Sequence, residues 1–461
     1  MLNRARPHLD INKILEQFSS ANPPDEEHIA NFENNFCKYI DTCFCKAIDY
    51  GRYALSLALK TLNISKGDEV IVQSFICNVA IDAILSHGAK PVLVDSSLKD
   101  FNISPSEIRK KITSKTKAII IAHLYGIPCD IDEILSIAEE NNCFLIEDCA
   151  HCINSKYKEK KVGTFGDISF FSFNFDKPLS TGNGGMLVVN NKKLVDKAKE
   201  ILDKLKRIDA QEDKKIVYGL FIQHILTNRE MYKDSLSIDF GKKLIEKNHN
   251  LFVNFDKLIY ENSEENIIEK HLLNFLNEKN VYKNNIIQIR RDNNFFRKLK
   301  FAKNKIKPSL NLKKYQDIKL MNSARALVGN IELDFIDRVN EIRCKNSQFY
   351  EKFLKDMESY KLPVIDKKKG PVYLRYTVLN KTNHDIKYIG DVAKSKGLEI
   401  GNFNWPKPIH LKHPYNKILK FKRADLKNSE VLASNIINLP VHYYVKNQDI
   451  VDITYLLDSF K

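Results

Sequence analysis

Lys177 lies four residues past a predicted strand, SFFSF, and just ahead of the turn GNGG, in the stretch SFNFDKPLSTGNGG. A primary amine so placed can condense with an aldehyde to form a Schiff base and, when free, can carry a proton. A solvated loop lysine is the commoner occupant of such a position in a lysine-rich chain. Asp148 directly follows the apolar run CFLIE, which reads as a strand. Ligands of open α/β sheets bind at the carboxyl ends of strands, so this carboxylate points into a crevice. Capping a helix is the alternative use of an aspartate there. Gly51-Arg52-Tyr53-Ala54 opens an apolar helix, GRYALSLALKTL. Free N–H groups and the helix dipole at that end attract anions. Glycine lets a phosphate approach the backbone, and Arg52 can add a bidentate contact. A plain helix start reads the same way. Together, an amine, a carboxylate and a helix N-terminus are what pyridoxal phosphate requires: a Schiff-base lysine, an acid that keeps the pyridine nitrogen protonated, and a place for the phosphate.

The elements that must position these residues alternate. Short apolar runs at Glu69–Gln73, Lys90–Val94, Ala118–Ala122 and Cys143–Glu147 read as strands. Helices are expected at Asn78–Ser86, near Pro105–Ile112 and at Asp130–Glu140 between them. This rhythm predicts parallel βαβ units, and the β-branched runs fit strands covered on both faces. Further strands are expected at Asp167–Phe173 and Met186–Val189, and residues 1–48 read as helical lead-in. A long helix is expected at Ser323–Leu354. A second α/β pattern follows, with strands Val372–Val378, Leu398–Ile400 and Ile436–Leu439 and helices His384–Lys396 and Asp449–Phe460. The organisation expected is a large domain over 1–320 and a smaller C-terminal α/β domain over 321–461. A divergent, basic helical insertion at about 200–315 belongs to the first.

Composition narrows the class. The chain has 461 residues, 43% of them hydrophobic, enough for a sizeable core and against global disorder. No apolar run reaches the roughly 18 residues of a membrane span, and the N-terminus lacks the apolar centre of a secretion signal. Nine cysteines without a regular framework predict a reduced, cytoplasmic protein. The net charge of +15 permits an anionic partner.

The text from 28 to 190 resembles the DegT/DnrJ/StrS family of sugar aminotransferases, of fold type I among the pyridoxal-phosphate enzymes. The matching stretches are GRYALSLAL, KGDEVIVQSF, GAKPVLVDSS, SKTKAIIIAHLYGIPCDID, IEDCAH, VGTFGDISFFSF and the lysine with its GNGG. Downstream, MNSARALVGNIEL, IGNFNWPKPIHL and NLPVHYY match as well. The resemblance implies an α/β fold with a large three-layer domain around a mainly parallel sheet. It assigns Lys177 as the Schiff-base lysine and proton carrier, and Asp148 as the pyridine-nitrogen partner. It assigns His151 to the ring and its 3-hydroxyl, and Ser172 with Gly51 and Arg52 to the phosphate. It further implies a nucleotide-linked keto-sugar substrate, glutamate as amino donor, and a homodimer.

The chain departs from the family pattern in several places. Arg52 and Tyr53 replace small hydroxyl residues, and Cys77 stands where an aromatic usually stacks on the ring. Ile318-Lys319-Leu320 replaces the Asn-Tyr-Arg that reaches a neighbouring subunit. The retained Lys177 argues against the family's dehydratase branch, which has His there. Another fold type I enzyme acting on an amino acid is the alternative. A non-catalytic member binding anionic partners through the basic, Phe-containing stretch 279–314 is a further one, although nucleic acid is not the expected partner. Cys149-Ala150-His151-Cys152 with Cys143 is packed too tightly for usual zinc spacings and reads as thiols buried beside a cofactor.

Overall fold

The computed structural model describes residues 2–19, 24–228, 270, 310, 312–402, 405–419 and 421–461. Nine strands come first: β1 (Cys45–Ile48), β2 (Glu69–Gln73), β3 (Lys90–Val94), β4 (Thr116–Ala122), β5 (Phe144–Asp148), β6 (Lys156–Tyr157), β7 (Lys160–Lys161), β8 (Ile168–Ser172) and β9 (Gly185–Val189). Seven of them form one sheet in the order β1-β9-β8-β5-β4-β2-β3. The run from β8 to β3 is parallel, while β9 pairs antiparallel with both β8 and β1.

Side chains alternate across this sheet, as the strand period requires. In β4, Ala118, Ile120 and Ala122 join the core on one face, with Leu55, Ile81 and Ile146. Ile119 and Ile121 join the core on the other, with Phe32, Phe36 and Ile134. Both faces are covered, which is why the strands read as continuous apolar runs. The chain runs outward from β2 to β3 at the sheet edge, then returns past β2 to β4 and continues in that same direction to β5 and β8, so the strand order reverses between β2 and β4. Crevices form where strand order reverses in this manner, at the carboxyl ends.

The remaining strands are β10 (Tyr360–Lys361), β11 (Lys369–Gly370), β12 (Tyr376–Asn380) and β13 (Ile436–Leu439). β10, β12 and β13 build a separate antiparallel sheet, and β11 pairs with β6. The 32-residue helix Ser323–Leu354 runs alongside both the large sheet's helices and the C-terminal helix Asn447–Asp458.

The structure revises several expectations. β1 lies inside the segment read as helical; four residues are too few to show a period of two. The strand expected at Val372–Val378 begins at Tyr376, and two short strands, β10 and β11, precede it. Leu398–Ile400 is not a strand. Leu398 bridges to Leu2, and Glu399 accepts a hydrogen bond from the Arg4 backbone N–H, so the N-terminal segment occupies that edge. Within the stretch assigned to the insertion, Ala210–Leu226 is a helix buried from Ile216 to Leu226 against Ser323–Leu354. The basic stretch 279–309, with Arg290, Arg291 and Arg297, lies outside the described residues. No helix among the described residues is long and apolar enough to cross a membrane.

Candidate active site

Three strand ends meet one cavity of about 310 Å³, within the size range of cofactor pockets. Gly51, Arg52, Cys77, His123, Asp148, His151, Ser172, Asp176, Lys177 and Trp405 line it. All six residues singled out from the sequence for this chemistry are therefore brought together.

Asp148 ends β5, and its Oδ1 accepts one hydrogen bond, 3.0 Å, from the Ala150 N–H. Burial pushes its carboxyl up to about 6, against the pull of that N–H, Lys177 and His123. A carboxylate with one donor and a raised value lacks a partner, and a protonated ring nitrogen is the kind it lacks. Lys177 follows β8 by five residues, and its Nζ lies 3.6 Å from Oδ1 of Asp176.

His151 is buried and stacks on Trp405, with ring centroids 5.4 Å apart and planes at 16°. Its Nδ1 accepts from the Tyr125 N–H at 3.2 Å, which leaves the proton on Nε2. Burial, with Lys177 and Arg375 nearby, drives its pKa well down, so the ring is a neutral donor.

The helix Gly51–Thr61 begins at the cavity. Its Gly51 N–H is already given to Gly184 O at 3.1 Å. The open backbone donor at this end is therefore the Arg52 N–H, which meets no acceptor among the described residues. Gly51 is required by a close approach. A Cβ there would lie 3.0 Å from Ser172 Cβ, and one on Gly185 would come within 2.5 Å of Gly51 Cα. The Arg52 guanidinium rests 5.2 Å from the centre of the Tyr50 ring, at the cavity wall. Ser172, half-buried at the end of β8, completes this corner.

The scaffold beneath these groups is tightly bonded. Arg325, fully buried, binds Asp213 Oδ1 at 2.5 Å and Asp49 Oδ1 at 2.8 Å, and donates to the carbonyls of Asp49 and Asn183. It thus ties the residue before the Gly51 helix to the GNGG turn and to the helix Ala210–Leu226. Glu147, one residue before Asp148, points the other way. It accepts from the backbone N–H of Gly163, Phe165 and Gly166 and binds His123 Nε2 at 3.1 Å. Burial opposes its ionisation, but His123 and these amides hold the carboxyl below its usual range. Glu147, His123 and Cys149 come close enough to share an ion. Both Glu147 oxygens are engaged by four donors, so Glu147 and His123 form a hydrogen-bonded hub with the 163–166 turn. Cys143, at the far end of β5, bonds Thr116 O and is not part of this group.

Sequence reasoning passed over His123, Asp176 and Trp405. His123 follows β4 as Asp148 ends β5, so the strand-end rule that found one applies to the other. Nothing local marks Asp176 or Trp405, which reach the cavity through long-range packing. Ile318-Lys319-Leu320 lies along the large sheet. Lys319 O accepts from the Asp49 N–H, and Leu320 bridges Ile48.

The parallel sheet with a lysine and an aspartate at its carboxyl edge defines a fold type I pyridoxal-phosphate architecture. The aminotransferase from Psychrobacter cryohalolentis superposes with a TM-score of 0.70 over 100% of this chain and 98% of its own, at 20% identity. A profile of the DegT/DnrJ/EryC1/StrS aminotransferase family matches residues 10–219 and 316–457, and the chain belongs to that family. It is 48% identical over 170 residues to the GDP-perosamine synthase of Escherichia coli O157:H7. It is 41% identical over 170 residues to the dTDP-3-amino-3,6-dideoxy-alpha-D-galactopyranose transaminase of Aneurinibacillus thermoaerophilus. Each match spans 37% of this chain and 47% of the relative, so the chain covers about half the length of these relatives.

Proposed function

We propose that this protein is a pyridoxal-phosphate-dependent aminotransferase that moves an amino group, from glutamate, onto a nucleotide-linked keto-sugar. The observation that carries the reading is the convergence of Lys177, Asp148 and the Gly51 helix on one cavity. The residues present fit the cofactor: Asp148 is a carboxylate short of donors, and the Gly51 corner is open to an anion. Bound there, pyridoxal phosphate supplies an electron-withdrawing ring that makes a neighbouring C–H acidic.

The chain does the rest. Lys177 holds the cofactor through its Nζ and, when released, moves the proton between the substrate carbon and the cofactor. Asp148 keeps the ring nitrogen protonated. Neutral His151 donates from Nε2 to the ring oxygen. The Arg52 N–H and guanidinium and the Ser172 hydroxyl hold the phosphate, with Arg52 taking over the contact that Ile318-Lys319-Leu320 no longer offers. The relatives' names, one a GDP-sugar enzyme and one a dTDP-sugar enzyme, support a nucleotide-sugar substrate and a place in polysaccharide or amino-sugar biosynthesis. A homodimer in the cytoplasm is part of the same reading.

An absorbance spectrum before and after glutamate, with Lys177→Ala alongside, tests it. A visible band that Lys177→Ala lacks and glutamate bleaches is expected. No band after adding pyridoxal phosphate would overturn the reading. A band indifferent to glutamate would turn it toward another amino donor or another reaction of the same fold.

A further inference from the structure

Lys177 has two states in the proposed reaction, bonded to carbon or free. As a free ammonium on a largely buried side chain it needs a counter-charge, because an unpaired buried charge is costly. Two carboxylates reach it, Asp148 and Asp176. Asp148 is committed to the ring nitrogen. Asp176 is adjacent in sequence, with 9% of its side chain exposed against 11% for Lys177, and lines the same cavity. It is gripped from the other side. Arg375, just before β12 of the C-terminal sheet and 1% exposed, places Nη2 3.4 Å from Asp176 Oδ2. Its Nε and Nη1 are buried without a hydrogen-bond partner. Among the described residues Asp176 is the carboxylate it contacts, with Glu399 acting on its charge without a contact.

Resting on the lysine assignment above, we propose that Asp176 is a positioning residue for Lys177. Arg375 fixes its carboxylate, and that carboxylate parks the Lys177 ammonium whenever the amine is not bonded to carbon. Burial opposes ionisation of Asp176, yet Lys177 and Arg375 outweigh it and bring the carboxyl to about 2, so it is charged at every working pH. The other groups facing the pair are Asp148 at the end of β5, His151 in the loop after it and Arg4 from the N-terminal segment, with Arg343 from the helix Ser323–Leu354 and Tyr125 and Glu399 acting on Arg375.

The test uses the cofactor-free full chain. The pH dependence of trinitrobenzenesulfonate labelling at Lys177, followed by peptide mapping, reads the free amine without any need for turnover. Asp176→Asn should move the labelling midpoint down by about one to three pH units, the range for loss of an opposite charge at this distance. Asp176→Glu should restore it. Asp176→Asn with Arg375→Met removes both charges and leaves no orphaned guanidinium; if the single variant fails to fold, it should still move the midpoint down, by less than the single change because losing the Arg375 cation offsets part of the effect. An unmoved midpoint in the foldable variant overturns the proposal and leaves Asp176 as a strut for Arg375. Absence of the visible band in the wild-type protein with pyridoxal phosphate would instead overturn the aminotransferase reading, so the two failures are distinguishable.

Discussion

Two buried charge clusters flank the Lys177 cavity, and they are built on opposite principles. Behind it, Arg325 engages two carboxylates and two carbonyls, and Glu147 receives four donors. Facing it, Asp148 has one donor, Asp176 has two cations at 3.4 and 3.6 Å, and Arg375 keeps two buried nitrogens unpartnered. Buried polar groups in proteins are normally satisfied, and exceptions concentrate where a ligand completes the bonding. The more fully bonded cluster, in which Arg325 Nη2 and Asp49 Oδ1 meet as an ion pair at 2.8 Å rather than as a hydrogen bond, fixes the backbone at both ends of the Gly51 corner. The unsatisfied one leaves its bonding to be finished by what enters.

The largest effect that tests this contrast is at Arg325. Arg325→Met strands Asp213 and Asp49 as buried charges, and should cost about 3–5 kcal/mol of unfolding free energy in urea titration of the cofactor-free chain. It should also loosen the Gly51 corner, since Asp49 and Asn183 lose their common anchor. A loss no greater than that of an average surface substitution would show that the cluster does not hold the scaffold.

Glu147 comes next. Glu147→Gln keeps the shape but halves the acceptors for Gly163, Phe165, Gly166 and His123. Leaving buried N–H groups unpaired predicts a cost of about 1–3 kcal/mol. Amide exchange should accelerate at residues 163–166 before it does in β4 or β5. Uniform acceleration across all three would deny Glu147 its place as the staple of that turn.

The same contrast explains what could be read from the sequence. Lys177, Asp148 and Gly51 could be picked out because each sits at or just beyond the end of a local element whose pattern is visible in its own neighbourhood, whereas Ser172 and His151 came only from the family resemblance. The parallel strands were legible because burial on both faces leaves unbroken apolar runs. The helical character of 210–226 was expected but its place in the core was not, for the converse reason: buried nearly all round, the helix Ala210–Leu226 shows no polar stripe, and its Asp213, Gln223 and His224 are buried too. Partnerships across the fold were equally hidden. Arg325 meets Asp49 across 276 residues and Asp213 across 112, and Arg375 meets Asp176 across 199. A motif identifies such an arginine as a helix residue, while only the packing reveals which acids it neutralises.

The smallest and sharpest test lies at Asp148, where folding and cofactor binding have opposite pH signs. Its carboxyl is raised from 3.8 to about 6 by burial, so the folded cofactor-free chain holds that proton more tightly than the unfolded one. This group's contribution to stability is therefore best at acid pH and declines as pH rises toward 6. Binding a protonated ring nitrogen needs the carboxylate, so its contribution to cofactor affinity is present above about pH 6 and lost below it. The expected decline is about tenfold per pH unit below that point, or about 1.4 kcal/mol per unit. The cofactor's own phosphate titrates near pH 6 as well, so pyridoxal phosphate affinity should be titrated for wild type and Asp148→Asn side by side. The variant, weaker throughout, should lack the extra slope. Parallel curves would mean that Asp148 is already paired within the protein and belongs with the more fully bonded cluster behind it.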